Sequence, residues 1–357
     1  MSQQRIKRQH VVSAFYLRGF AENGTRLSRT ALDTGLTHAV AVSDATVIKD
    51  FYSLPGPDGE LSDHFERMFG EIEGLAAAAL KAVLTHAALP PGEQREALAV
   101  WIALQYLRSE GIRNQGVEHD AQMIRLVVGA SGKQALRAHI EAHEGAEISA
   151  ARLEAEWADI TKPSGPTLRA DPRDHIKILL ELLPGTAALI HDSQWMVLKF
   201  QRRKLVTSDP PVSLLPDETL PAWYGVGLAT AAGFVLPLDR ETGLIVFSGQ
   251  FGEDAYGPGS TKMHKVLVGQ TMGNARKAIY HHPADDPRAF FGGLPDLRES
   301  EMAPVGDGLI KEEGFFAGIK PDQKLPSMPH DDEKDGFSLA DLTWPIPRRV
   351  FEWVEPG

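Results

Sequence analysis

The sequence predicts an α+β fold with a mainly helical first half, a small β-hairpin near its start, an antiparallel strand-rich second half and an extended C-terminal tail. Apolar residues recur at helical spacing through most of the first half. From Trp195 onward, short runs rich in Val, Leu, Ile and Phe alternate with Gly, Pro and Asp, which is typical of antiparallel strands. The last part is dense in Pro, Gly and Asp. We therefore expect three regions, 1–192, 193–285 and 286–357, with the second packed on the first.

The N-terminal segment predicts a short helix followed by a hairpin. Apolar side chains recur at helical spacing from Val11 to Phe20, directly after His10 and a basic run at 5–8. An Asn-Gly turn signal at Asn23 and a rough apolar alternation then predict a small hairpin. His10 has two interpretations: a structural histidine that donates to a backbone carbonyl, or a functional group.

Long helices are predicted next. Ser62 or Asp63 is placed to cap the first of them, and the Pro-Pro-Gly at 90–92 ends it. The predicted helical segments are 64–86, 93–129, about 133–160 and 172–191.

The second half predicts strands within "QWMVLKFQRRKLVTSDPPVSLLP", "GFVLPLD" and "GLIVFSG". A helix is predicted over 265–282. The tail could pack on the body through Trp344, Phe351 and Trp353.

Composition excludes several classes of protein. A chain of 357 residues with 43% hydrophobic content can bury a sizeable core, and no cysteine is present. Disulfides, thiolate metal sites and a cysteine nucleophile are therefore excluded. The apolar stretches are too short to span a bilayer and no secretory signal is evident, so we expect a soluble cytoplasmic protein without membrane association. The net charge of -11 argues against a broad nucleic-acid surface, although basic patches at 5–8 and 199–204 remain candidates.

Common catalytic motifs are missing from the sequence. It has no phosphate loop of the Gly-x-x-x-x-Gly-Lys kind, no dinucleotide fingerprint, no His-Glu-x-x-His and no Gly-x-Ser-x-Gly elbow. No nucleotide or flavin cofactor is therefore indicated, and a metal site would have to use His, Asp or Glu.

Several blocks carry a resemblance. In order, "QHVVSAFYLRGFAENG", "DATVIKDFYSL", "HFERMFGEIEGLAAAAL", "LVTSDPPV" with "FVLPLD", and "GNARKAIYHH" resemble the uncharacterised bacterial and phage family catalogued as domain of unknown function 4238. The resemblance covers roughly residues 5–285. The sequence departs from the family pattern at Val12-Ser13, where Ile-Pro or Val-Pro is common, and at "RSEGIR", where Arg-Thr-Pro is commoner. The second departure bears on Arg108. The resemblance implies no particular reaction.

Two glutamates on the helix predicted at 64–86 could carry chemistry. Glu66 and Glu73 are seven residues apart, so at about 100° per residue they lie on one line of the helix. Gly70 and Ala77 share that line, which borders the apolar stripe. Two half-buried carboxylates on a rigid element suit a metal site or a general base. The alternative is that both pair with a cation from a neighbouring helix, for which Arg108 is the obvious candidate.

Asp209 follows a strand-like approach and precedes Pro210 and Pro211. The prolines fix the direction of Asp209, which favours a crevice at the strand end. The alternative is an Asp-Pro turn in which Asp209 accepts from nearby backbone amides.

His10 and Asn274 complete the candidates. The basic run at 5–8 would lower the pKa of His10 and favour a neutral, ligand-competent ring. On the helix predicted over 265–282, Asn274 would share a face with Gln270 and His281. Core polar pairing is the alternative for Asn274.

The leading hypothesis is a metal-assisted phosphoester hydrolase, nuclease-like, with a bacterial or phage conflict system as its candidate setting. Mg or Mn would be the ion, and nucleic acid or another phosphoester the substrate. The assigned residues are Glu66, Glu73 and Asp209 as metal ligands, His10, Asp209 and Asn274 as catalytic groups, and Arg108 with Lys204 as phosphate-binding groups.

The alternative is a binding or regulatory protein in which the same residues form structural ion pairs. Geometry discriminates the two, because an enzyme requires His10, Glu73 and Asp209 to converge with at least one acidic oxygen unpaired. The sequence leaves the oligomeric state open.

Overall fold

The computed structural model of the chain describes residues 5–55, 60–221, 225–248, 252–291, 293–295 and 307–314. Within them, helices fill most of the first half, and most strand pairs of the second half are antiparallel, so the predicted α+β class is confirmed. Most of the predicted tail lies outside the described residues, including Trp344, Phe351 and Trp353.

The helices of the described part follow the sequence pattern in the first half, except that the stretches predicted over 93–129 and about 133–160 are each divided into two helices. They are α1 (Ala14–Leu17), α2 (His64–His86), α3 (Gly92–Leu107), α4 (Glu110–Ser131), α5 (Lys133–Glu144), α6 (Ala150–Thr161), α7 (Pro172–Asp192), α8 (Thr261–Asn274) and α9 (Arg288–Phe291). No helix in this part of the chain is both long and apolar enough to cross a membrane.

The segment predicted as one helix over 93–129 is two helices. The chain leaves α3 at Arg108, and the Ser109 hydroxyl then accepts from the backbone N–H of Ile112 at 3.3 Å in the first turn of α4. A serine that satisfies an otherwise unpaired amide favours a new helix start at this point.

The strands are short. They are β1 (Arg8–His10), β2 (Arg26–Ala31), β3 (Thr37–Ala41), β4 (Val47–Lys49), β5 (Leu54–Pro55), β6 (Leu61–Ser62), β7 (Gln194–Lys199), β8 (Thr207–Ser208), β9 (Ser213–Pro216), β10 (Ala231–Pro237), β11 (Thr242–Phe247), β12 (Ala255–Pro258) and β13 (Ala278–His281).

Nine of these strands form two larger sheets, and β5 pairs with β6 in a separate two-stranded sheet. One has the order β12-β7-β11-β10-β9 and is antiparallel except where β12 runs parallel to β7. The other has the order β3-β2-β13-β8, in which β2 and β3 form the predicted hairpin. The Asn-Gly turn at Asn23 precedes β2, and β1 pairs separately with β4.

The helix predicted over 265–282 is wrong in its second half. It ends at Asn274, and Ala278–His281 is the strand β13. The backbone amides of Arg276, Lys277 and Ala278, which a longer helix would use internally, donate to the carboxylate of Asp209. A contact distant in sequence therefore replaces the helical hydrogen bonds.

The described residues divide into two compact units. The first contains 5–114 and 170–295, and the second 115–169 and 307–314. The first unit has a core of α1, α2, α3 and both sheets, including Tyr16, Trp101 and Phe234. The second has a smaller core around Leu136 and Trp157. The division of the chain at residues 192 and 285, based on secondary-structure content, remains a prediction.

Candidate functional site

A polar cluster lies between the N-terminal segment, α2 and α3, in the first unit. We call it the Glu66 cluster. It consists of His10, Ser13, Glu66, Glu73, Trp101, Gln105 and Arg108.

The centre of the cluster is an ion pair between two helices. Glu73 Oε1 lies 2.7 Å from Arg108 Nη2, and the Arg108 side chain is 1% exposed. Arg108 also donates to the Ser13 hydroxyl at 2.8 Å, and Ser13 Oγ lies 2.8 Å from Glu73 Oε1. A buried guanidinium is stable when carboxylate and hydroxyl acceptors surround it. The pairing that the sequence offered as an alternative for Glu73 is therefore present.

Ser13 occupies the N-cap position of α1 but makes no side-chain capping bond. Its hydroxyl accepts from Trp101 Nε1 at 2.9 Å, and its backbone N–H donates to Gln105 Oε1 at 3.0 Å. The Ser13 hydroxyl therefore does not bond to a backbone amide of α1, as an N-cap hydroxyl usually does. It orients the ion pair of Glu73 and Arg108 instead.

Glu66 lies beside the Glu73 and Arg108 ion pair and is not part of it. Its Oε2 atom is buried and has no hydrogen-bond partner. Burial raises the pKa of Glu66 to about 7, and the neighbouring charge of Glu73 adds to the rise. The charge of Arg108 and the backbone N–H of His10 oppose it. A carboxyl group that titrates near neutrality can donate or accept a proton at working pH.

His10 ends β1, and its ring faces the same cluster. Its Nε2 lies 3.4 Å from the Val42 carbonyl, so this nitrogen is the donor and Nδ1 carries the lone pair. Burial lowers the pKa of His10, and the charges of Arg108 and Arg8 lower it further. The Val42 carbonyl and Glu73 oppose this shift. The direction of the shift is the expected one, but burial is its main cause, and of the basic run only Arg8 contributes.

The cluster has room beside it. Glu73 keeps 23% of its side chain exposed. A Cβ atom at Gly70, which lies between the two glutamates on α2, would meet nothing within 4 Å. The structure therefore brings Glu66, Glu73, His10 and Arg108 together, and Gly70 is exposed between the two glutamates on α2.

Asp209 serves a different part of the structure. Its Oδ1 accepts from the backbone N–H of Arg276 at 3.0 Å, and its Oδ2 from that of Lys277 at 3.1 Å. Burial raises the pKa of Asp209, and these backbone amides oppose the rise. The alternative interpretation was a local turn in which Asp209 accepts from the amides that follow it, whereas these amides lie 67 to 69 residues away in the sequence. Asp209 also lines an open cleft, as the strand-end argument predicted.

Lys204 and Asn274 are also used elsewhere. Lys204 pairs with Glu241, and the Asn274 amide donates to the Val212 carbonyl at 3.2 Å. The face predicted to combine Asn274 with His281 does not exist, because His281 lies in β13, where its Nε2 is 2.9 Å from the Thr30 hydroxyl.

Sequence reasoning missed three members of the cluster. They are Ser13, Trp101 and Gln105. The spacing i, i+4, i+7 joins Trp101 and Gln105 on α3 to Arg108, which follows it. The signal available in the sequence was a polar residue, Gln105, inside an otherwise apolar stripe.

A divalent ion would have few ligands here. In the part of the chain that the structure describes, no group of three or more His, Asp or Glu side chains is arranged to hold a metal. In the Glu66 cluster, Glu66, Glu73 and His10 are the possible donors, and Arg108 already neutralises Glu73.

Comparison with known proteins gives one match. The family model described as "Protein of unknown function (DUF4238)" matches residues 8–285. No curated protein and no solved structure shows a significant match to the chain.

Proposed function

The chain belongs to the DUF4238 family of proteins of unknown function, and from that premise we propose that it is a phosphoester hydrolase whose proton-transferring residue is Glu66. The observation that carries the proposal is the buried, unpartnered Glu66 Oε2 beside the Glu73 and Arg108 ion pair. Perturbed carboxyl groups in accessible polar clusters are frequent acid and base catalysts.

The roles follow from the two pKa shifts. His10, neutral and with a free Nδ1 lone pair, takes a proton from water as the water oxygen attacks phosphorus. Protonated Glu66 donates its proton to the leaving oxygen as the phosphorus–oxygen bond breaks. Glu73 and Arg108 are positioning residues. They form an ion pair with each other, and their charges act on both His10 and Glu66.

A phosphoester substrate is proposed from the two arginines near His10. Arg8 and Arg108 both act on its ring, each is paired with a carboxylate, Asp44 and Glu73, and guanidinium groups are common phosphate-binding groups. Arg8 is 64% exposed and could contact substrate, whereas the buried Arg108 could not. Mg or Mn remains a proposal for this reaction; with Glu66 deprotonated, Glu66 and Glu73 would be its protein ligands, without Asp209.

The test is hydrolysis by the purified full-length chain of bis-p-nitrophenyl phosphate, single- and double-stranded DNA, and RNA. Each substrate is measured with chelator, with Mg and with Mn, across pH 5–9. We expect a rate that changes with an apparent pKa near 7 and falls about a hundredfold or more in Glu66→Gln. The matched control is Glu71→Gln, an exposed glutamate on the same helix.

Two results would overturn the proposal. One is the absence of hydrolysis of every substrate under all three metal conditions by folded wild-type protein. The other is equal hydrolysis by wild type and Glu66→Gln. Dependence on Mg or Mn would support the metal-assisted form of the reaction, and activity in chelator would support the form that uses side chains alone.

The competing proposal is a binding or regulatory protein without chemistry. It is favoured by the structural partners of Arg108 Nη2 and of the Asp209 carboxylate. Under this alternative, Glu66→Gln changes only stability, and the cluster fixes the N-terminal segment on α2 and α3.

A further inference from the structure

A second site is present in the first unit, formed by residues that the proposed hydrolase does not use. It is an open cleft of about 260 Å³, slightly smaller than the usual range for small-molecule sites of roughly 300–1,000 Å³. Its floor is one face of the β3-β2-β13-β8 sheet. Arg29 on β2 stands directly opposite Tyr280 on β13, and Val40 on β3 completes this face.

The carboxylates around the cleft all have partners. Asp44 pairs with Arg8, and Glu110 pairs with Lys277 at 2.5 Å. Asp209 accepts from backbone amides. None of these carboxylates needs a further cation.

Arg29 differs from the acidic groups around the cleft in having no ion-pair partner among the described residues. It is half-buried, contacts the Tyr280 hydroxyl, and forms no ion pair with any carboxylate in the described ranges. Arg276 also has no ion pair there, and its Nε would lie 4.0 Å from a Cβ at Gly111, a lining residue. A half-buried guanidinium without a counter-ion is a strong site for a planar or tetrahedral anion.

An apolar wall adjoins this floor. It comprises Val11, Val40 at the edge of the floor, Ala45, Val47, Ile48 and Pro210. Thr46, between these residues, has φ 58°, a left-handed conformation that is rare for a β-branched residue. Its hydroxyl holds it in place by donating to the Val12 carbonyl at 3.1 Å. The wall is thus fixed by a strained residue, as is common beside ligands.

We propose that this cleft binds a small organic anion, with a phosphate, phosphonate or carboxylate group on Arg29 and an apolar body against the Val40 and Ile48 wall. The inference is independent of the proposed hydrolysis, because it uses no residue of the Glu66 cluster. It assigns the chain a ligand site whether or not the Glu66 cluster performs chemistry.

Isothermal titration calorimetry of the full chain tests the site with four probes. Phenylphosphonate and benzoate combine an anion with an apolar ring, inorganic phosphate lacks the ring, and benzyl alcohol lacks the charge. Phenylphosphonate has no ester bond, so hydrolysis does not interfere. We expect phenylphosphonate or benzoate to bind more tightly than the two incomplete probes, and the better of the two identifies the anionic group. Binding should weaken as salt rises, because the interaction is partly electrostatic.

Two variants and a matched control define the location. Arg29→Gln should weaken binding about tenfold or more, through loss of a charge-assisted hydrogen bond. Val40→Trp should block the cleft and abolish binding while leaving Arg29 in place. Arg26→Gln removes an exposed arginine from the same strand and should leave binding unchanged.

The proposal is overturned if folded wild type binds neither anionic ring compound at about 10 mM, or if binding survives unchanged in both Arg29→Gln and Val40→Trp. Failure of hydrolysis would leave these binding results untouched.

Discussion

The Glu73 carboxylate and the Arg108 guanidinium lie 2.7 Å apart and join the middle of α2 to the residue that follows α3. The Arg108 side chain is almost completely buried, so bulk water cannot take the place of Glu73 as the partner of Arg108. The pair also sets the charges that act on His10 and on Glu66.

Arg108→Met should destabilise the fold, because it leaves Glu73 and Ser13 beside an apolar side chain. We expect a loss of about 3 kcal/mol in the free energy of unfolding, measured by urea denaturation. The double variant Glu73→Gln/Arg108→Met should recover part of this loss, since no charge is then left unpaired. Lys177→Met, from an exposed pair at 4.0 Å on α7, is the control and should cost less than about 1 kcal/mol. Equal effects of the two single substitutions would contradict a special role for the buried pair.

Glu66→Gln should change how stability depends on pH. The pKa of Glu66 is about 7 in the folded protein and near 4.3 in the unfolded chain. The folded state therefore binds the proton more tightly, so this group's contribution is fully present below the unfolded pKa and is lost as pH rises through about 7. Glu66→Gln should raise the unfolding free energy above pH 7, by on the order of 1–3 kcal/mol.

The measurement is urea unfolding from pH 4 to pH 9 for wild type, Glu66→Gln and Glu71→Gln. The pKa of His10 is lowered in the folded protein, so its contribution is present above its unfolded pKa and is lost as pH falls through its folded pKa, and it should persist in both variants. Parallel curves for wild type and Glu66→Gln would show that Glu66 titrates normally.

Asp209→Ala should loosen the segment between α8 and β13. Three backbone amides, at Arg276, Lys277 and Ala278, lose their acceptor, and an unsatisfied buried amide costs about 1–3 kcal/mol. Asp209→Asn keeps one acceptor oxygen and should cost less. Hydrogen exchange localises the effect, because these three amides should exchange faster in Asp209→Ala while amides of α2 change little. Unchanged exchange at all three would mean that the carboxylate is dispensable for this segment.

Local sequence patterns predicted the parts of the molecule that local forces decide. The full length of α2 and the common line of Glu66 and Glu73 both follow from helical periodicity. The strand position of His10 depends on pairing with β4, almost forty residues away. The end of α8 depends on Asp209, which lies 67 residues before the first amide that it accepts from. No local propensity encodes such contacts, so the predicted convergence of Asp209 with the two glutamates had no support in the pattern.

Access to the Glu66 cluster can be tested at Gly70. This glycine lies between Glu66 and Glu73 on α2, is exposed, and has open space where a side chain would point. A tryptophan there should fold without a clash and cover the approach to both carboxylates. Gly70→Trp should therefore lower hydrolysis about a hundredfold or more if substrate enters by this side. Gly185→Trp on α7, also exposed with nothing within 4 Å, is the matched control.

A second readout of Gly70→Trp does not depend on activity. Further burial of Glu66 should raise its pKa above about 7 and move the stability transition to higher pH, whereas Gly185→Trp should leave it in place. The pH series of urea unfolding measures this shift directly. A transition unmoved by Gly70→Trp would place the open side of the cluster away from Gly70, and unchanged hydrolysis together with a shifted transition would show that substrate reaches Glu66 from the His10 side instead.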